Sequence, residues 1–390
     1  MAKEHGVVGR RAVVIHSPLA GRSASLSHAL STLRYAGVEL IEVVPISVVA
    51  EDVGLMKLWK ARGVNLLVAA GGDGVVGSVA RYAVEGQIPL GILPLGTAND
   101  LARSVGIPQD LASAAQVVAS GTRRIIDLGL SHPSGQDSPS AASLPPHFRE
   151  DRLFTHALTV GLSVQFAQVA TRKTIRERYG RLTYPFALWQ AFQVYQPIDV
   201  ELHFHNVAIC SSSLLPTQTQ DHLVLRSRIA QITAGNAPIF WGAFEGYVPS
   251  VSFTDRLLDV VIFEHTSRLQ LARRMLRFFL TPDYHSWSKQ REPARSPEVL
   301  RTKFATLPGT HHIQARSVTI FTEHNPQPVT LDGEVSTQTP VEARVAQERL
   351  ELLVPRDRCE RAPSTRAAIG MARLRTLLRG LSMPLSSLLL

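Results

Sequence analysis

Leu66-Leu67-Val68-Ala69-Ala70-Gly71-Gly72-Asp73-Gly74, and then Leu90-Gly91-Ile92-Leu93-Pro94-Leu95-Gly96-Thr97-Ala98-Asn99-Asp100, decide how this chain is read. Each stretch is an apolar run closed by a glycine turn, the pattern of a buried strand followed by a tight bend. Between them, Val75 to Val84 can form one helix. Glycines directly after an apolar strand let backbone N–H groups approach an anion with no Cβ in the way. The helix that follows aims its positive end at the same place. Such a turn suits the phosphates of a nucleotide. Asp73 within it is placed to position a cation or a hydroxyl.

Working outward, strands are predicted at Arg11 to His16, Glu39 to Val44, Asn65 to Ala70 and Leu90 to Leu93. Helices are predicted at Ser23 to Tyr35, Glu51 to Ala61 and Leu111 to Ala119. That alternation implies a parallel sheet covered by helices, with ligands at the carboxyl ends of its strands. Both glycine turns fall at such ends. The expectation is therefore a three-layer α/β domain over residues 1–128. Beyond Ile125-Ile126-Asp127-Leu128 the pattern changes. Ser131 to Glu150 reads as a Ser/Pro-rich surface loop. Short β-like runs follow at Phe154 to Val160, Ile198 to Phe204, Leu223 to Ile232, Asp259 to Phe263, Ser317 to Phe321, Val329 to Leu331 and Arg349 to Val354. Helices are expected at Val164 to Arg176 and Tyr184 to Tyr195. A second, mainly antiparallel β-sandwich domain over residues 129–355 fits these runs. Residues 356–390 form a basic tail in which Met371, Leu374, Leu377, Leu378 and Leu381 keep helical spacing. It reads equally as a packed helix or as an amphipathic helix on lipid.

The chain has 390 residues, 45% of them hydrophobic and 19% charged, enough for two domains with full cores. Its apolar runs are too short, or too broken by arginine, to cross a bilayer. No apolar h-region follows Met1, so no signal peptide is expected. With Cys210 and Cys359 as the only cysteines, the reading is of reduced thiols in a cytoplasmic protein. Formal net charge is +9. Basic residues gather at Arg172, Lys173, Arg176, Arg178 and Arg181, at Arg268, Arg273, Arg274 and Arg277, and in the tail. Without a nucleic-acid motif or an aromatic-rich basic stretch, an anionic membrane surface is the expected partner and nucleic acid is not. A homodimer is compatible with the sequence, which carries no signal for it. His311, His312 and His324 lack metal-ligand spacing and are read as solvated or structural.

Three elements in order resemble the diacylglycerol-kinase-type catalytic domain, the family that includes bacterial lipid kinases and sphingosine kinases. They are Gly71-Gly72-Asp73-Gly74, Pro94-Leu95-Gly96-Thr97-Ala98-Asn99-Asp100-Leu101-Ala102-Arg103, and Leu331-Asp332-Gly333-Glu334. Echoes at Ser17-Pro18-Leu19-Ala20-Gly21, Ile126-Asp127-Leu128-Gly129, Gly180-Arg181-Leu182-Thr183-Tyr184 and Asp255-Arg256-Leu257-Leu258-Asp259 extend it from about Arg11 to Pro355. The resemblance implies two domains with ATP between them, and a lipid hydroxyl as acceptor at a membrane surface. It implies nucleotide contacts at Gly71, Gly72, Asp73, Gly74, Val75, Ser78, Gly96, Thr97, Asn99 and Asp100. It makes Glu334 the general base, gives Asp332 and Asp73 a share in holding Mg²⁺, and places an accessory cation at Asp255. Val75, Gly77 and Ser78 stand where the family has threonine, asparagine and glutamate, and Arg256 replaces a glycine. Two other readings are an enzyme like NAD kinase and a catalytically silent lipid-binding protein. Taken alone, Asp332-Gly333 is a hairpin turn and Asn99-Asp100 a helix cap.

Overall fold

A computed structural model describes residues 9–17, 26–51, 54–96, 98–134, 148, 150–170, 172–180, 183–211, 220–237, 239–240, 246–247, 251–271, 273 and 309–356. The chain divides into two units, the first comprising residues 1–127 and 347–361, the second 128–346 and 362–390. The sequence reading ran the second domain on to 355.

The first unit begins with β1 (Arg11–His16), α1 (Leu26–Tyr35), β2 (Glu39–Pro45), α2 (Ile46–Glu51) and α3 (Leu55–Ala61). It continues with β3 (Leu66–Gly71), α4 (Asp73–Gly86), β4 (Leu90–Pro94), α5 (Asp100–Ser104), α6 (Leu111–Ser120) and β5 (Thr122–Pro133), in which the division falls. β1 pairs in parallel with both β2 and β3, and β3 with β4. Every residue of β3 and β4 is buried, as parallel strands covered on both faces require. Helix α1 packs with α6, and α3 with α4. Gly91 in β4 leaves room for Val118 of α6, whose side chain lies 3.0 Å from where a Cβ would stand. Asp110 caps α6 by accepting from Ser113 N–H at 2.8 Å, and Arg10 donates to the carbonyls of Val118 and Gly121 at its far end. The strand order β2-β1-β3-β4 switches direction at β1, so the carboxyl ends of β1 and β3 flank the expected ligand crevice. There Ser17 N–H bonds the carbonyl of Ala70.

The second unit contains β6 (Arg152–Phe154), β7 (Ala157–Gly161), α7 (Leu162–Ala170), α8 (Lys173–Tyr179) and α9 (Thr183–Val194). Then come β8 (Ile198–Ser211), β9 (Gln220–Gly235), β10 (Ile239–Phe240), β11 (Gly246–Tyr247) and β12 (Leu258–Glu264). β13 (Thr310–Thr322), β14 (Pro328–Leu331), β15 (Glu334–Gln338) and β16 (Val341–Val354) complete it. The last residues of β16 return to the first unit, where Leu352 pairs in parallel with Leu90. The pairings among β7, β8, β9, β12, β13, β14 and β15 are antiparallel, and those of β8, β9, β12 and β13 close on one another. Alternation along β12 separates two clusters. Leu258, Val260 and Ile262 join the core of the closed strands, while Val261 and Phe263 pack with Leu162, Ala191 and Tyr195 from the helical side.

Candidate active site

The first glycine turn lies at the end of β3. Gly72 is the N-cap of α4, with extended backbone (φ −90°, ψ −172°) and no side-chain cap. The first intrahelical bond runs from Val76 N–H to the Gly72 carbonyl. The N–H groups of Gly74 and Val75 therefore precede the helical ladder and point from the positive end of the helix.

The second turn is seated on the first. The N–H groups of Leu95 and Gly96 both reach the Gly71 carbonyl, at 2.9 and 3.3 Å. A Cβ on Gly96 would stand 2.4 Å from the Gly72 Cα, and one on Gly72 would stand 3.2 Å from the Gly96 Cα. Only glycine lets the two backbones touch in this way. Asn99, at φ 52°, closes the second turn: its Oδ1 accepts from Gly96 N–H and its Nδ2 donates to the Gly96 carbonyl and to Gln109 Oε1. Asp73 Oδ1 accepts from Leu101 N–H at 3.2 Å, tying the first turn to the start of α5. Asp100 pairs with Arg103. Asn99 and Asp100 are buried, so both hold the platform together. Val75 folds back over Gly71, and Val75 and Ser78 are half-buried on the opening turns of α4. Thr97 lies outside the described residues, as do Lys3 and the tail from Asp357 onward, Cys359 included.

Asp332, Glu334 and Asp255 belong to the second unit. Asp332 (φ 50°) and Gly333 (φ 89°) form the two-residue turn of the β14–β15 hairpin, with positive φ at both positions as a type I′ turn needs. The Asp332 carboxylate accepts four hydrogen bonds: Thr155 N–H and Oγ1 on one oxygen, His156 and Ala157 N–H on the other, at 2.8 to 3.2 Å. Four donors fill a carboxylate's acceptor capacity. The Asp332 carboxylate thus anchors the hairpin. Glu334, the first residue of β15, is exposed just beyond that anchor. Asp255 is exposed and its Oδ1 accepts from Leu257 N–H at 3.1 Å, an Asx turn beside Arg256 at φ 63°. Among the described residues no group of three His, Cys, Asp or Glu side chains is placed to hold a metal ion.

His312 is structural: buried, with Nε2 2.7 Å from Asp259 Oδ1, an oxygen that also accepts from Gln314 Nε2. His311 is buried beside Glu264 at 3.1 Å, and His324 is exposed. Sequence reasoning missed a buried polar chain beside α7. Thr330 and Thr159 share a hydrogen bond, Ser163 Oγ donates to Thr159, and Gln231 joins Ser163 to Thr233. Its only signal was polar residues at inward positions of apolar strands.

The model of the diacylglycerol kinase catalytic domain matches residues 11–131, the stretch that carries both glycine turns. A diacylglycerol kinase of Mycobacterium tuberculosis is 24% identical over 351 residues, covering 89% of this chain and 96% of that one. The diacylglycerol kinase of Bacillus subtilis is 24% identical over 270 residues, covering 68% and 77%. An uncharacterized protein of Synechocystis sp. is 27% identical over 294 residues, 75% of this chain but 56% of its own length. A Bacillus anthracis crystal structure aligns with a TM-score of 0.60 at 19% identity, covering 91% of this chain and 98% of that chain. At that identity the likeness is one of fold.

Proposed function

We propose that this chain is an ATP- and Mg²⁺-dependent lipid kinase that acts at a membrane surface. The observation that carries the proposal is the contact between the Gly72 and Gly96 backbones at the carboxyl end of β3. An uncapped helix start beside glycine backbone suits a phosphate group. The family match over residues 11–131 and relatives named diacylglycerol kinase support the same reading.

In the proposed reaction the lipid hydroxyl oxygen attacks the γ-phosphorus and the bond to the β-phosphate oxygen breaks. The hydroxyl proton passes to the Glu334 carboxylate, and ADP leaves. An alcohol is a poor nucleophile until that proton departs, which is why an exposed carboxylate on a rigid turn matters. Asp332 holds the turn and thereby the base. Mg²⁺ would neutralise charge on the phosphates, held mainly by the nucleotide with Asp73 as protein partner. Asp255, already engaged in its Asx turn, is left out of this scheme.

Incubation with labelled ATP and a lipid extract, followed by mass spectrometry of the product, tests the proposal. A phosphorylated lipid is expected. Phosphate appearing only on added NAD would replace it with the NAD-kinase reading. Lipid binding without Mg²⁺-ATP binding would replace it with a silent lipid binder, for which Val75, lacking a hydroxyl, is the motive. Glu334→Gln should lower turnover by roughly 10²–10⁴-fold with ATP affinity unchanged. Near-normal turnover in that variant would remove Glu334 from its role.

A further inference from the structure

The outer face of α8 and α9 carries an aromatic ladder that the interior does not use. Tyr179 and Phe186 stack with ring centroids 4.1 Å apart, and Phe186 continues to Trp189 at 5.9 Å. Trp189 is 58% exposed and Val194, on the same helix, 53%. Thr183, Ala187 and Ala191 are the buried residues of α9 among those described. Phe192 of the same helix packs against the core, so Trp189 is the large aromatic side chain of α9 left outside. Arg178 lies 5.8 Å from the Tyr179 ring centroid, and Arg172 is exposed just before α8. A row of adjoining aromatic rings that reaches the surface marks an interaction site more than a lone exposed side chain does. A ring with an apolar body and a polar N–H, flanked by arginines, suits the boundary between acyl chains and headgroups.

We propose that the α8–α9 face docks on anionic lipid bilayers, with Trp189 entering the interfacial layer. Arg172 and Arg178 meet the headgroups. This deepens the membrane-surface reading of the function and rests on it. The choice of a bilayer over a protein groove follows from charge. The face carries exposed arginine on a chain of net charge +9, and an anionic surface attracts every such residue without requiring a matching shape. Stacked aromatics beside arginine also suit single-stranded nucleic acid, which becomes an outcome of the test.

The full-length chain is sedimented with vesicles of phosphatidylcholine alone and of phosphatidylcholine with phosphatidylglycerol. Wild type should favour the anionic vesicles, and salt should weaken the binding. Trp189→Ala should weaken it about tenfold, and Arg172→Gln with Arg178→Gln by a similar factor. Circular dichroism of the variants should match wild type, because these side chains are exposed. Brominated lipids should quench wild-type tryptophan fluorescence more than that of Trp189→Phe. Equal sedimentation of all variants, equal quenching, or tighter binding to single-stranded RNA than to anionic vesicles would overturn the docking face. Turnover on detergent-dispersed diacylglycerol separates the two failures. If wild type and Trp189→Ala phosphorylate it equally while vesicle binding ignores Trp189, only the docking face is wrong. If wild type phosphorylates no lipid, the functional reading falls instead.

Discussion

At Gly96 an added methyl group would stand 2.4 Å from a backbone atom, the Gly72 Cα, which has no flexible end to swing aside. Gly96→Ala must therefore push the two turns apart. The strain should cost about 1–3 kcal/mol of stability. Because it displaces the N–H groups at the start of α4, ATP affinity should fall by roughly tenfold or more, equivalent to about 1.4 kcal/mol. Chemical denaturation and nucleotide titration measure the two effects separately. Unchanged nucleotide affinity in a folded variant would detach the platform from phosphate binding. Asp332 offers a different test. Asp332→Ala leaves the N–H groups of Thr155, His156 and Ala157 without their acceptor, and about 3 kcal/mol of stability should go with it. Turnover should fall as well, through misplacement of Glu334, while Mg²⁺ dependence stays as in wild type. A changed Mg²⁺ dependence would restore a metal role to Asp332. The glycine turns were legible in the sequence, but what holds them was not. Asn99, Asp100 and Asp332 each hold a turn through contacts that spacing along the chain does not reveal.

At the scale of elements, Asp332 also explains why one predicted strand is two. The run Phe154 to Val160 breaks at Thr155-His156 because those N–H groups bond the Asp332 carboxylate, leaving β6 and β7 on either side. A carboxylate distant in sequence cannot be read from the run itself. Helix α2 was missed for a local reason: Ile46, Val48 and Val49 are β-branched and lower helix propensity, yet Val49 is buried and fixes the segment. The helix predicted over Glu51 to Ala61 is seen as α3 from Leu55. Strands with unbroken apolar runs, β3 and β4, were read almost to the residue, since burial on both faces demands such runs. Just after α9, Tyr195 is buried and its hydroxyl lies 2.7 Å from His265 Nδ1. Burial pushes its hydroxyl up to about 12, against a smaller opposing pull from Arg228. Because the folded value lies above the ordinary 10.0, the stabilising contribution is intact below pH 10 and is lost as pH rises through about 12. Ultraviolet titration should show one tyrosine ionising late. Tyr195→Phe should abolish that phase and flatten the alkaline decline in stability. A titration identical to wild type would place the late group elsewhere.

For the whole molecule, the division into units shows what one-dimensional reading lacks. The first unit recovers residues 347–361, through the pairing of Leu352 with Leu90, although nothing local in Arg349 to Val354 names its neighbour strand. Sheet order is set by partners far apart in the chain, and only the alternation of strands with helices was visible beforehand. Two units sharing one chain also make ligand linkage informative. A ligand that binds only folded protein stabilises it by about 2.7 kcal/mol at a hundred times its Kd. For a unit of this size that is roughly 5–10 °C in calorimetry. Mg²⁺-ATP should therefore raise the melting of the unit that contains β3 and α4, whereas NAD should not. Glu334→Gln should keep the full rise, since a proton acceptor is not needed to hold the nucleotide. Gly96→Ala should lose most of it. Loss of the rise in Glu334→Gln instead would mean that this carboxylate binds the nucleotide or its metal, and the assignment of general base would have to move to another side chain.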